Sequence, residues 1–86
     1  METKEIESLI LNSFREKELM KNIELNEDFF DLGVSSLTVV ELQIVVEKQI
    51  NRTVETAKLM AAPTIAEWVE LYSKAETNAS TEALDA

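Results

Sequence analysis

The stretch DFFDLGVSSLTVVEL, residues 28 to 42, decides how this chain is read. It places the only glycine, Gly33, just ahead of two adjacent serines, Ser35 and Ser36, at the front edge of a long apolar run. Glycine lets a backbone turn tightly, and serine is a favoured first residue of a helix. A helix is therefore expected from Ser36 to Ile50, capped at Ser35 or Ser36, with the Thr38 to Glu41 spacing as a possible internal capping box.

The apolar residues of this helix fall into two stripes. Val39, Leu42, Val46 and Ile50 share one side, while Leu37, Val40 and Ile44 share another, roughly a third of a turn or more away at 3.6 residues per turn. One stripe is enough to bury a surface helix. The second needs a partner, inside the fold or outside it.

Upstream, residues 21 to 35 show no clear period and carry Glu24, Glu27, Asp28 and Asp31. A loop of about 15 residues is uncommon in so small a domain and tends to be functional or ordered by its own side chains. Phe29, Phe30 and Leu32 are expected to anchor it by plugging the open end of a helical bundle. Before the loop, Ile6, Leu9, Ile10 and Phe14 share one face of a first helix. Thr3 is its expected N-cap, and it is expected to fade near Met20 after about four turns, with Asn22 as a terminator.

Downstream, Asn51 and Arg52 break the pattern, and a short helix is expected from Thr56 to Ala62 through Ala57, Met60 and Ala61. Pro63 ends it. Thr64 and Glu67 have capping-box spacing, and Ile65, Trp68, Val69 and Tyr72 follow at i, i+3, i+4 and i+7. The fold class is therefore all-α, a four-helix bundle of three longer helices plus a short third helix. The domain is expected to span residues 1–74, and residues 75–86, small and acidic, are expected to form a frayed or disordered tail.

Composition narrows the function. The chain has 86 residues, no cysteine, no histidine, and 17 acids against 8 bases, for a net charge of −9. Such a charge repels phosphate backbones and anionic lipid, so neither nucleic acid nor membrane is an expected partner. Apolar runs do not exceed about four residues, against the roughly 20 needed to span a bilayer. No export signal is read at the N-terminus, and the expected compartment is the cytoplasm.

The reactive side chains are few. Gly33-Val34-Ser35-Ser36-Leu37 begins like the nucleophile elbow of serine hydrolases but lacks the second glycine, and no histidine exists to act as a base. Glu27, Asp28 and Asp31 do not follow the calcium-loop spacing and read as a solvated acidic loop, with no metal site expected. What remains is a serine at a helix N-terminus, where free N–H groups and the dipole favour an anion such as a phosphodiester. The more ordinary role of such a serine is an N-cap.

The same stretch resembles the attachment site of acyl and peptidyl carrier proteins: a glycine, a variable residue, Asp or His, the modified serine, and an aliphatic residue. Length, helix order and the later APTIAEWVELY also resemble that family, so the likeness runs over roughly residues 3 to 74. The resemblance implies a four-helix bundle whose Ser36, next to Gly33 and Ser35, receives 4'-phosphopantetheine from coenzyme A through a separate phosphopantetheinyl transferase. The arm's thiol then holds an acyl or aminoacyl group as a thioester, so the reactive sulfur comes from the cofactor. The implied protein is a non-catalytic monomeric carrier.

The resemblance also implies that Leu37, Val40, Glu41, Ile44 and Glu47 dock partner enzymes, which favours exposure of the second stripe and burial of Val39, Leu42 and Val46. Those partners are an adenylation or acyl-loading enzyme and downstream biosynthetic enzymes. Two features depart from the family pattern. Ser35 stands where Asp or His is usual, and residues 36 to 50 hold only Glu41 and Glu47 against Lys48. FFDLG and the few acids of residues 36 to 50 favour a free-standing carrier of nonribosomal-peptide or polyketide type over a housekeeping fatty-acid carrier, while Ser35 bears on how well a generic transferase accepts the chain. Outside the family the competing class is an unmodified acidic adaptor that binds partner helices through Leu37, Val40 and Ile44.

Overall fold

The computed structural model describes residues 1–77. Four helices, α1 (Thr3–Arg15), α2 (Ser36–Ile50), α3 (Thr56–Met60) and α4 (Ile65–Lys74), form an all-α bundle, with 3-10 turns at Glu18–Met20 and Phe29–Leu32. Helix α1 packs against both α4 and α2, and α3 lies on α2. No strand occurs among the described residues, only an isolated bridge between Arg52 and Thr77. Most of the segment expected as a tail, residues 78–86, lies outside the described residues; Ala75, before it, packs against the core.

The core is built around large rings. Phe14, Phe29, Trp68 and Tyr72 are fully buried, and Trp68 is the hub. Its ring lies 4.8 Å from Phe14 and 6.1 Å from Phe29, edge-on to both, and 6.1 Å from Tyr72. Such pairs contribute roughly 0.5–1.5 kcal/mol each beyond the area they bury. The Trp68 indole N–H is not left unpaired, since it donates to the Ala62 carbonyl at 3.0 Å.

Helix α1 is shorter than its sequence pattern predicts. It starts at Thr3 with Glu2 as the N-cap, in a capping box with Glu5, and ends at Arg15 with Glu16 as the C-cap. The apolar stripe Ile6, Ile10, Phe14 has no continuation at the next turn, where Lys17 and Glu18 stand. At 100° per residue a helical Met20 would point about 240° away from Phe14. Instead Lys17 adopts an extended conformation and a 3-10 turn brings Met20 into the core. The Arg15 guanidinium closes this detour by donating to the Ile23 carbonyl at 3.0 and 2.7 Å.

The long loop is ordered by its own groups. The Phe29 N–H donates to the Pro63 carbonyl and the Ala66 N–H to the Leu25 carbonyl, both at 2.9 Å. Phe29 is buried and Phe30 and Leu32 are half-buried, as anchors of the open end should be. Asp28 caps the second 3-10 turn by accepting from the N–H groups of Phe30 and Asp31. Gly33 ends it in the left-handed region at φ 94°.

Helix α2 covers the span expected of it and buries Val39, Leu42, Val46 and Ile50. Asn51, at φ 61°, terminates it. Arg52 then donates to the Tyr72 and Ser73 carbonyls at the end of α4, where a cation complements the helix dipole. Helix α3 differs from its prediction. It stops at Met60, and its buried side chain is Leu59, joined by Ala62, while Ala57 and Ala61 face solvent. Two alanines contribute too little apolar area to orient a helix, and Leu59 outweighs them. Helix α4 carries the four buried residues predicted for it, and its Thr64 hydroxyl accepts from the Glu67 N–H.

A polar junction ties these helices together. The Glu47 carboxylate accepts from the Tyr72 hydroxyl at 2.8 Å, the Val54 N–H at 3.1 Å and the Gln43 amide at 3.3 Å. Gln43 also donates to the Val54 carbonyl and accepts from the Thr56 hydroxyl. Burial, with the hydrogen bond to Glu47 and its negative charge, pushes the Tyr72 phenol well above its ordinary value of 10.0.

Two tests follow from this architecture. Tyr72 is the single tyrosine, so tyrosinate absorbance reports on it alone. The folded state holds the phenolic proton more tightly than the unfolded state, so its contribution is complete below about pH 10 and is lost as pH rises above that value. Tyrosinate absorbance is expected to appear together with the loss of helical circular dichroism, and Tyr72→Phe should remove this part of the alkaline destabilisation. Gly33→Ala meets only an ordinary van der Waals contact, with Leu19 Cδ1 at 3.9 Å from the new Cβ. The positive φ alone should cost about 1–2 kcal/mol in denaturant unfolding.

Candidate functional site

The site is the junction between the capped loop and the start of α2. Its two serines, equal candidates for the helix cap in the sequence, are not equivalent in space. Ser35 is the N-cap: its Oγ accepts from the Thr38 N–H and lies 3.3 Å from the Thr38 hydroxyl. Ser36 occupies the first helical position, is exposed, and its hydroxyl has no hydrogen-bond partner among the described residues. Thr38 is thus inside the first turn, and the internal capping box suggested by Thr38 and Glu41 does not form.

The surroundings of Ser36 suit an anion attached to it. The Thr38 N–H is taken by Ser35 and the Val39 N–H by the Ser35 carbonyl. The Ser36 and Leu37 N–H groups have no acceptor among the described residues, and they open at the positive end of the helix dipole. Gly33 sets the approach to Ser35 without a side chain of its own.

Beyond Ser36, α2 presents the second stripe outward. Leu37 is 69% exposed and Ile44 52%, Val40 is half-buried and Glu41 is exposed. Glu41 is paired with Lys17 at 3.2 Å. Glu47 departs from the expected docking group: its carboxylate is engaged by Tyr72, Val54 and Gln43, so it serves the junction between helices. Besides the N-terminal Met1, two exposed apolar residues lie outside the predicted stripes, Val45 at 41% and Leu19 at 60%. Val45 belongs to neither run of i, i+3 and i+4 spacing, and Leu19 lies in a 3-10 turn too short to have a stripe.

Two acids of the loop are engaged by the loop's own backbone. Asp28 is a cap, Glu27 accepts from the Glu24 N–H, and no group of three acids among the described residues is arranged to hold a metal ion. A hydrolytic role for Ser35 or Ser36 has no base to support it, because the chain contains no histidine and neither hydroxyl is hydrogen-bonded to a carboxylate or an amine among the described residues.

The sequence matches the family described as the phosphopantetheine attachment site over residues 8–72. Neither the curated proteins nor the solved structures gave a match. The matched span begins within α1 and ends at Tyr72, so it takes in the loop, both serines, the exposed stripe of α2 and most of α4. A free serine hydroxyl beside unpaired N–H groups fits a covalently attached phosphodiester. The chain therefore belongs to the phosphopantetheine attachment family: a helical, non-catalytic carrier that holds 4'-phosphopantetheine covalently, receives it from a separate transferase and serves biosynthetic enzymes.

Proposed function

We propose that Ser36 is the residue that bears the phosphopantetheine arm, and that the carrier holds an acyl or aminoacyl intermediate as a thioester on it. The observation that carries this reading is the contrast between the serines, Ser35 bonded into the cap and Ser36 exposed and unbonded. Attachment at Ser36 joins its Oγ to the arm's phosphate and leaves the cap of α2 in place. Attachment at Ser35 would instead esterify the oxygen that already accepts from the Thr38 N–H.

The carrier unit runs over residues 1–74 and works as a cytoplasmic monomer, charged by an adenylation or acyl-loading enzyme and read by downstream enzymes of nonribosomal-peptide or polyketide type. Leu37, Val40, Glu41 and Ile44 form its docking face, with Gly33 and Ser35 shaping the approach to Ser36. The sparse charge of α2 supports this assignment over a housekeeping fatty-acid carrier, whose second helix is expected to be more acidic.

Intact mass after incubation with coenzyme A and a broad-specificity transferase tests the attachment. Wild type and Ser35→Ala are expected to gain one arm, and Ser36→Ala none. Ser35→Ala should also lose about 1 kcal/mol of stability, the usual cost of removing a serine cap. Equal loss of modification in both variants would refute the division of labour. For docking, Ile44→Ser is expected to raise the KM of a loading enzyme for the carrier by about five- to thirtyfold, the equivalent of about 1–2 kcal/mol, without lowering the melting temperature.

A further inference from the structure

The docking face does not end at α2, and its charge is cancelled within the chain. From Gly33 to Ile44 the only ionisable residue is Glu41. Its carboxylate is held at 3.2 Å by Lys17, the residue that leads into the Glu18–Met20 turn. That pair fastens the turn to the middle of α2. It also brings up Leu19, which is 60% exposed and has its Cδ1 3.9 Å from the position a Cβ would take at Gly33.

Gly33 precedes Ser36 by three residues, so an enzyme acting on the Ser36 hydroxyl comes close to Leu19 as well as to Leu37. A unit charge acts at a distance through its net field, and a close ion pair leaves only a dipole, which salt has little left to screen. Along Gly33 to Ile44 the pair leaves no net charge, and the acids nearest to this stretch are Asp31, exposed two residues before Gly33, and Glu18, which pairs with Lys21 at 3.8 Å.

Building on attachment at Ser36, we propose that Leu19 and the Lys17–Glu41 pair form a second half of the docking surface, and that this surface selects a transferase whose own docking face is apolar and uncharged. Affinity there comes from apolar contact across both halves, Leu19 on the turn and Leu37, Val40 and Ile44 on α2. The overall charge of −9 steers the encounter little.

The test is the kinetics of phosphopantetheine transfer to the full chain at saturating coenzyme A, followed by intact mass. For wild type, kcat/KM for the carrier should change by less than about twofold between about 50 and about 500 mM NaCl, where an electrostatically steered pair would fall steeply. Leu19→Gln should raise KM about fivefold with kcat unchanged, Leu19→Met should bring KM back, and all three proteins should melt together. A wild type that takes up no arm would overturn both the attachment and the surface. Full modification of wild type, combined with an unchanged KM in Leu19→Gln or a tenfold fall with salt, would overturn the surface alone.

Discussion

Phe29 wedged against Phe14 and Trp68 is the contact on which the rest depends. Its ring lies 5.4 Å from Phe14 and 6.1 Å from Trp68, so one loop residue joins the first and last helices of the bundle. The backbone of the same residue donates to the Pro63 carbonyl. With Phe29 fixed, the Asp28 cap, the left-handed Gly33 and the Ser35 cap follow in a few residues, and each removes freedom from the next. The start of α2 is therefore aimed by the aromatic core, although the site itself contains no aromatic side chain.

What the sequence disclosed is what periodicity encodes. Ile65, Trp68, Val69 and Tyr72, and the stripe Val39, Leu42, Val46 and Ile50, are buried as their spacing predicts, because a helix converts spacing into a face without help from the rest of the fold. The end of α1 was hidden for the opposite reason. Met20 is buried by leaving the helix, a choice made by the space between elements and not by the local pattern. Leu59 was hidden because α3 spans little more than one turn, too short for a period to show.

The site was half legible. Glycine, paired serines and the following apolar run marked the start of α2, and the resemblance singled out Ser36, but two serines are equally good caps on paper, and only the geometry separates a bonded Ser35 from an unbonded Ser36. Glu47 shares the helical spacing of the exposed stripe and so read as a docking residue. Its hydrogen-bond partner Tyr72 is 25 residues away and two helices further on, in α4. A carboxylate that accepts three hydrogen bonds at such a junction is committed to the scaffold, since removing it would leave a buried hydroxyl and a backbone N–H without an acceptor.

Helix α2 thus carries two obligations on two sides. Its buried stripe holds the bundle, and its outer stripe leaves Leu37 and Ile44 in water, where the hydrophobic effect favours covering them. Fully burying one such side chain is worth about 1.5–3 kcal/mol. With Leu19 added, three of them supply roughly 5–9 kcal/mol at most. Bringing two proteins together costs about 4–15 kcal/mol in lost freedom, so these gains and costs are of similar size. A patch of this extent supports short-lived association and not a permanent complex. A carrier has to meet a transferase and biosynthetic enzymes in turn, and on the proposed docking face a tighter patch would hold the first of them too long.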